Sequence, residues 1–165
     1  MKCGIEIHQR LATGKLFCRC SSEASEDAVP ESALVRRLRS VRGELGELDA
    51  TAKFEEERRR EFLYKLYPET TCLVEDDEEP PHPMNHEAVK VGLAVCSMLK
   101  VKAVDEIQIM RKIVVDGSNT SGFQRTSVIG MNGEVETSKG IVHIMTVCLE
   151  EESAGILPTH EDRAV

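Results

Sequence analysis

Apolar and polar residues alternate along the first stretch of the chain, residues 2–11. Ile5 and Ile7 alternate with Glu6 and His8, which is the period of a strand with one apolar and one polar face. On such a strand, side chains two residues apart project from the same side and lie about 7 Å apart. We therefore expect Glu6 and His8 to face the same way on a half-buried edge strand.

The next segments, up to residue 75, predict short strands, a loop and a helix. Residues 15–20 predict a short strand that returns antiparallel to the first, and residues 21–32 are small, polar and acidic, which is typical of a loop. Residues 47–67 place apolar side chains among many charges, with three glutamates before three arginines. The resulting i,i+3 and i,i+4 pairs favour a solvated helix. Residues 71–75 predict another short strand.

A proline-rich loop precedes the second predicted helix. Three prolines among residues 80–83 exclude both a helix and a central strand there. Asn85 is a favourable N-cap, and apolar residues at helical spacing predict a core helix over residues 86–99.

The last third of the chain predicts strands. Residues 101–115 alternate loosely, as one strand or two, and residues 123–131 predict a further strand. Asn132-Gly133 is typical of a type I′ hairpin turn, because both positions need positive φ. Beyond the returning chain, residues 140–149 form the most apolar stretch. The predicted fold class is α+β, a mostly antiparallel sheet with two helices packed on it.

Composition narrows the possible functions. The 165 residues, 41% of them hydrophobic, suit one domain or one and a half, and the absence of Trp predicts an aliphatic core. A net charge of −8 argues against nucleic-acid binding over the whole surface. A local basic patch would be required, and the arginines of residues 36–42 and 58–60 are candidates, although they are more often neutralised by neighbouring glutamates.

The sequence predicts a cytoplasmic protein without a membrane span. No apolar stretch approaches 18 residues, and no signal or transit peptide is recognisable. The six cysteines are therefore expected to be thiols or metal ligands. The chain stops at Val165 without a closing element, so we expect it to be part of a longer protein.

Three glutamates at the tip of the last predicted strand could join a metal site. If the strand continues, Glu150 and Glu152 share one face and Glu151 takes the other. A divalent cation could gather Glu6, His8 and one of these glutamates, since an oxygen-rich set with one nitrogen suits Mg²⁺. The alternative is a solvated strand end.

Two further groups could bind ligands. The loop from Asp116 to Arg125 carries two glycines, three hydroxyls and an arginine that could cradle a phosphate, although an ordinary hairpin loop would look the same. Cys18-x-Cys20 is half of a zinc site. Cys72, Cys3 or His82 could complete it only by folding nearby, because no CxxC follows. Neither a Walker pattern nor a GxSxG motif is present.

Several blocks of sequence together resemble one known family. Gly-Ile-Glu-Ile-His-Gln-Arg-Leu begins at Gly4 and Lys-Leu-Phe-Cys-Arg-Cys at Lys15. Matching blocks follow in order at residues 72–75, 77–85, 110–112, 116–126 and 148–151. The chain resembles the GatB/GatE amidotransferase family over nearly its whole length, most closely the archaeal branch.

The resemblance implies a fold and an activity. Residues 1–165 would form the N-terminal part of an α+β catalytic cradle domain, without the inserted and helical tRNA-binding domains of full-length members. ATP would phosphorylate the side-chain carboxylate of Glu carried by tRNA(Gln). Ammonia from an amidase/asparaginase-like partner, the D-type subunit, would then displace the phosphate. We expect the full-length protein to form a heterotetramer and this piece alone to be inactive.

The resemblance also assigns residues. It gives Glu6, His8 and Glu150 as catalytic Mg²⁺ ligands, with a further glutamate beyond Val165. It places ATP or substrate contacts in the loop, at Asp116, Ser118, Asn119, Thr120, Gln124 and Arg125. Whether Cys18 and Cys20 bind zinc stays open, because bacterial relatives complete that site with a CxxC that is absent here. The alternative function is a non-catalytic metal- or RNA-binding module of the same ancestry.

Overall fold

A computed structural model describes residues 3–23, 27–37, 39–40, 42, 46–112 and 124–152. Its elements, in chain order, are β1 (Ser32–Arg37), α1 (Ala50–Glu57), β2 (Glu61–Leu66), α2 (His86–Met98), β3 (Lys102–Ala103), β4 (Ile109–Lys112), β5 (Gln124–Thr137) and β6 (Gly140–Glu152). Two helices accompany antiparallel sheets, so the predicted α+β class is confirmed.

The larger sheet is organised around β5. β6 pairs with β5 along almost its whole length, while β3 and β4 pair with separate parts of it, all antiparallel. Because β6 occupies one edge of β5, β3 and β4 share the other. β1 and β2 form a separate two-stranded sheet. The last residues of β6 therefore lie beside the first residues of β5, which brings Glu150 opposite Thr126.

The core lies between α2, the sheet and the segment around Phe17. Phe17, Val74 and Ile129 are fully buried, and the remaining members of the cluster are mostly aliphatic, as composition predicted. The predicted α2 is confirmed: the Asn85 side chain accepts hydrogen bonds from the backbone N–H groups of Glu87 and Ala88, at 2.9 and 3.4 Å. This N-cap satisfies donors that a helix start leaves free.

The predicted hairpin turn at Asn132-Gly133 is wrong. Both residues lie within β5, and the chain reverses between Thr137 and Gly140 instead. Asn132 does have a positive φ of 59°. A Cβ on Gly133 would come within 2.6 Å of the Leu99 carbonyl oxygen. The dipeptide therefore allows the backbone after α2 to pack closely against β5. From the sequence alone, an Asn-Gly pair that makes a turn looks the same as one that permits a close backbone contact.

The strands predicted for residues 2–11 and 15–20 are also wrong. The described part of each segment has no regular secondary structure. Ile5 and Ile7, the expected apolar face, are 87% and 85% exposed. Leu16 and Phe17 instead use their carbonyl groups to accept hydrogen bonds from the proline-rich loop, including one from His82 N at 2.9 Å. Alternation alone does not supply the ladder partner that a strand needs.

The middle of the chain also differs from the sequence prediction. The single helix expected over residues 47–67 is α1 followed by β2, because Phe62 and its neighbours pair with β1. Residues 71–75 form no strand but enter a turn in which Val74 is buried. Within the described part of residues 101–115, the two-strand alternative is the correct one, as β3 and β4.

Candidate functional site

The three predicted metal ligands lie together at one end of the larger sheet. His8 Nε2 is 3.1 Å from Glu6 Oε1, and His8 Nδ1 is 3.8 Å from Glu150 Oε2. One ligand atom from each residue lies within 4.8 Å of the others. Glu6 and His8 come from the irregular N-terminal segment, and Glu150 comes from β6. The predicted convergence holds although the predicted strand does not.

The neighbouring strand holds the carboxylate of Glu150 in place. The Thr126 hydroxyl donates to Glu150 Oε1 at 3.1 Å, and the Gln124 amide donates to Glu150 Oε2 at 3.3 Å. Both donors come from β5, two residues apart and on one face, beside the end of β6. Gln124 was predicted as an ATP or substrate contact, and its amide here donates to Glu150, a predicted metal ligand. Thr126 was not among the predicted site residues, although its spacing from Gln124 is a usable signal.

Glu151 points to the opposite face and is buried, as the predicted alternation of the three glutamates implies. Its Oε2 accepts hydrogen bonds from the backbone N–H groups of Leu16 and Phe17, at 3.0 and 3.2 Å, and its Oε1 accepts one from Arg125 at 3.2 Å. Burial, reinforced by the charge of Glu75, raises the pKa of Glu151, whereas these hydrogen-bond donors oppose the rise. Glu151 therefore ties β6 to the N-terminal segment.

Arg125 completes this buried arrangement. Its side chain is 5% exposed, and its guanidinium group donates to the Val74 carbonyl oxygen at 2.8 Å and approaches Asp77 Oδ1 at 3.5 Å. It also lies over the Phe17 ring, 5.9 Å from the centroid. The guanidinium predicted to clamp a phosphate is thus enclosed by groups of the protein. The other predicted contacts of this loop, Asp116, Ser118, Asn119 and Thr120, lie outside the described residues.

A second candidate metal site is formed by three cysteines. The sulfur atoms of Cys18, Cys20 and Cys72 lie within 4.8 Å of one another. Burial raises the pKa of the Cys18 and Cys20 thiols, and the neighbouring Glu75 and Cys72 respectively add to the effect. Cys18 donates to Glu75 Oε1 at 3.2 Å.

Neither of the other proposed zinc ligands joins these cysteines. His82 lies 3.0 Å from Glu79, and Cys3 is exposed. Over the ranges that the structure covers, the thiol cluster has no fourth His, Cys, Asp or Glu ligand. All six cysteines are free. In the described part of the chain, the helices are too short or too polar to span a membrane.

Comparison with known proteins identifies the family of this chain. The GatB/GatE catalytic domain profile matches residues 1–165. The E-type subunit of glutamyl-tRNA(Gln) amidotransferase from Methanothermobacter thermautotrophicus is 48% identical over 155 residues, covering 93% of this chain and 25% of the relative. The E-type subunits of Methanocaldococcus jannaschii and Thermoplasma volcanium are 46% and 48% identical over 100% of this chain, and 26% and 27% of their own lengths.

The chain spans about a quarter of the length of these curated relatives. The match to the family profile nevertheless extends from the first residue to the last. It includes Glu6, His8 and Glu150, which the fold brings together. The chain belongs to the GatB/GatE catalytic domain family.

Proposed function

We propose that this chain is part of the catalytic domain of an enzyme that converts Glu-tRNA(Gln) into Gln-tRNA(Gln) with ATP. The observation that carries the proposal is the convergence of Glu6, His8 and Glu150 on one small region. The relatives named as the E-type subunit of glutamyl-tRNA(Gln) amidotransferase support the choice of substrate. The full-length protein would work in the cytoplasm as a heterotetramer with the ammonia-producing D-type subunit.

The residues of the cluster fit a magnesium ion. Two carboxylates and one imidazole are acceptable Mg²⁺ ligands. Ligands on opposite sides of Mg²⁺ lie roughly 4.2 Å apart, so atoms already within 4.8 Å of one another need only small movements to share it. A bound Mg²⁺ ion would neutralise and orient the phosphoryl group during its transfer. Thr126 and Gln124 contribute by fixing both oxygens of Glu150 before any ligand arrives.

The two chemical steps balance without a protein nucleophile. In the first, an oxygen of the glutamyl side chain attacks the γ-phosphorus of ATP, forming an acyl phosphate and releasing ADP. In the second, ammonia attacks the acyl carbon, the bond from that carbon to the phosphate-bearing oxygen breaks, and inorganic phosphate and a proton leave. Activation is needed because a carboxylate is a poor electrophile. The protein's task is positioning and charge stabilisation.

The test uses the full-length protein with its D-type partner and labelled ATP. We expect phosphate release to depend on Glu-tRNA(Gln) and to match Gln-tRNA formation one to one. A chelator should stop both, and ammonium salt should replace the partner as the nitrogen source. If tRNA and metal bind but Glu-tRNA never stimulates ATP cleavage, the chain is instead a non-catalytic binding module.

We also propose that Cys18, Cys20 and Cys72 hold a zinc ion. Three thiolates supply three of the four ligands of a structural zinc site. Because burial raises the pKa of the Cys18 and Cys20 thiols, zinc must displace their protons, and its occupancy should fall as the pH is lowered.

Metal analysis of the purified protein should find about one zinc per chain. Cys72→Ser should remove most of it, whereas Cys148→Ser, at a half-buried thiol outside the cluster, should not. Less than about one zinc per two wild-type chains would leave the cysteines as plain thiols.

A further inference from the structure

A cleft lined by arginine side chains lies in the small module made by β1, α1 and β2. It has a volume of about 580 Å³ and is lined by Arg37, Arg39, Arg59 and Glu56. We call this feature the arginine cleft. None of its residues belongs to the cluster of Glu6, His8 and Glu150 or to the cysteine cluster.

The positive charge of the arginine cleft is only partly neutralised. Glu56 accepts a hydrogen bond from Ser40, and Arg37 pairs with Glu61 on the neighbouring strand. Arg39 and Arg59 have no ion-pair partner in the part of the chain that the structure describes. Two guanidinium groups without a close ion pair among the described residues therefore share one opening with the Glu56 carboxylate.

Nearby arginines outside the cleft behave differently. Arg36 pairs with Glu78 at 2.7 Å, and Arg58 and Arg60 both approach the buried Glu55, at 3.1 and 3.6 Å. Among the described arginines near the cleft, Arg36, Arg37, Arg58 and Arg60 thus have carboxylate partners, whereas Arg39 and Arg59 line the cleft without one. With Glu56 and the Glu61 that pairs with Arg37 counted, the three arginines leave the cleft one positive charge in excess, in a chain whose net charge is −8.

The backbone at Arg59 adds a second observation. α1 ends with Arg58 as its C-cap, and Arg59 follows it in the left-handed region with φ of 51°. Glycine is the usual residue at this position because it adopts positive φ without steric cost. An arginine there accepts strain that glycine would avoid, and it places a guanidinium group at the rim of the cleft.

An exposed ring on α1, outside the lining of the cleft, favours RNA over a small anion. The Phe54 ring on α1 is 57% exposed, with the Arg58 guanidinium 5.8 Å from its centroid. Exposed aromatic rings and arginine planes are surfaces on which unpaired RNA bases stack. The cleft itself is open and charged, which suits a phosphate backbone that runs through it.

We propose that the arginine cleft binds phosphates of the tRNA backbone, through Arg39 and Arg59, at a place separate from the catalytic cluster. The identity of the RNA rests on the proposed function, whereas the anion-binding role rests on the cleft. Phosphate contacts position an RNA without reading its sequence. The arginine cleft therefore contributes affinity for tRNA and takes no part in the chemical step.

The test compares charge reversal inside and outside the cleft in the full-length protein with its partner. Arg39→Glu/Arg59→Glu should weaken tRNA affinity roughly tenfold and make the slope of log affinity against log salt shallower by about two units, one per lost contact. The KM for tRNA should rise while kcat at saturating tRNA is unchanged. The control, Lys102→Glu/Lys139→Glu, reverses two exposed charges on the other sheet and should change little.

A conservative variant separates a charge effect from a folding effect. Arg39→Lys/Arg59→Lys keeps both charges and should retain most of the affinity, because a lysine also contacts phosphate. Unchanged affinity and salt slope in the charge-reversed variant would overturn the inference. Loss of the D-type partner with unchanged tRNA affinity would also overturn it and would assign the cleft to an acidic protein surface.

The outcomes for the two proposals are distinguishable. If the wild-type complex shows no ATP-dependent amidation but charge reversal still weakens RNA binding, the proposed function fails and the arginine cleft remains an RNA-binding surface. If amidation proceeds and charge reversal leaves the KM for tRNA unaltered, only the inference about the cleft fails.

Discussion

Replacing Glu150 with glutamine in the full-length protein, assayed with its partner, is expected to lower the rate of Gln-tRNA formation by at least about 10³-fold. The change preserves the size of the side chain and its acceptor oxygen but removes one of two carboxylate charges from the cluster. In the proposed reaction, charge stabilisation of phosphoryl transfer is the main catalytic contribution. Glu6→Gln removes the other carboxylate and should have an effect of similar size.

The measurement must separate synthesis from ammonia production. Gln-tRNA formation and amide hydrolysis are followed in the same reactions, and only the first should fail, because the proposed function gives hydrolysis to the partner. Glu136→Gln is a matched control, since Glu136 is exposed on β5 near the far end of the same sheet. Near-normal Gln-tRNA formation in either the Glu6 or the Glu150 variant would contradict the proposed role of the cluster.

Glu151→Leu should destabilise the fold by about 3–5 kcal/mol. The substitution removes one of the carboxylates that face the buried guanidinium of Arg125, and the backbone N–H groups of Leu16 and Phe17 lose their acceptor. Unpaired buried charges and donors are among the largest sources of instability. Calorimetry on the full-length protein should show the transition of this domain roughly 6–20 °C lower.

Two further variants check this explanation. Glu134→Gln breaks only an exposed pair with Lys100 and should change stability by less than about 1 kcal/mol. Arg125→Met combined with Glu151→Leu should recover part of the loss, because the buried guanidinium that lost a carboxylate partner is then removed as well. A single Glu151→Leu variant as stable as the wild type would show that the buried pair contributes no net stability.

The distinction between Glu150 and Glu151 shows how far local sequence rules extend. Strand periodicity was enough to put the two glutamates on opposite faces. Their neighbours come from residues far away in the chain: Thr126 and Gln124 reach Glu150 across the ladder, while Leu16 and Arg125 reach Glu151 in the core. Periodicity alone therefore did not tell which glutamate is buried as a tether; the family resemblance named Glu150 as a metal ligand, and the folded chain shows Glu151 bound to the N-terminal segment.

In the N-terminal segment, the local pattern predicted a side-chain contact correctly and the backbone structure wrongly. Alternation correctly paired Glu6 with His8, because residues two apart can approach each other in several extended conformations, and the 3.1 Å contact needs no ladder. The same alternation wrongly predicted a strand with a buried apolar face, since Ile5 and Ile7 remain exposed. Backbone pairing depends on which segment lies alongside, and periodicity carries no information about that.

Several features of this protein are therefore encoded locally: the α+β class, the capped helix α2, and the residue types of both candidate metal sites. The folded chain alone decided that Asn132-Gly133 serves a close backbone approach, that Arg125 is enclosed, and that Cys72 joins Cys18 and Cys20. The physical reason is the range of the interactions involved. Capping and periodicity act within a few residues, whereas burial, cross-strand contacts and metal clusters depend on segments that meet only after folding.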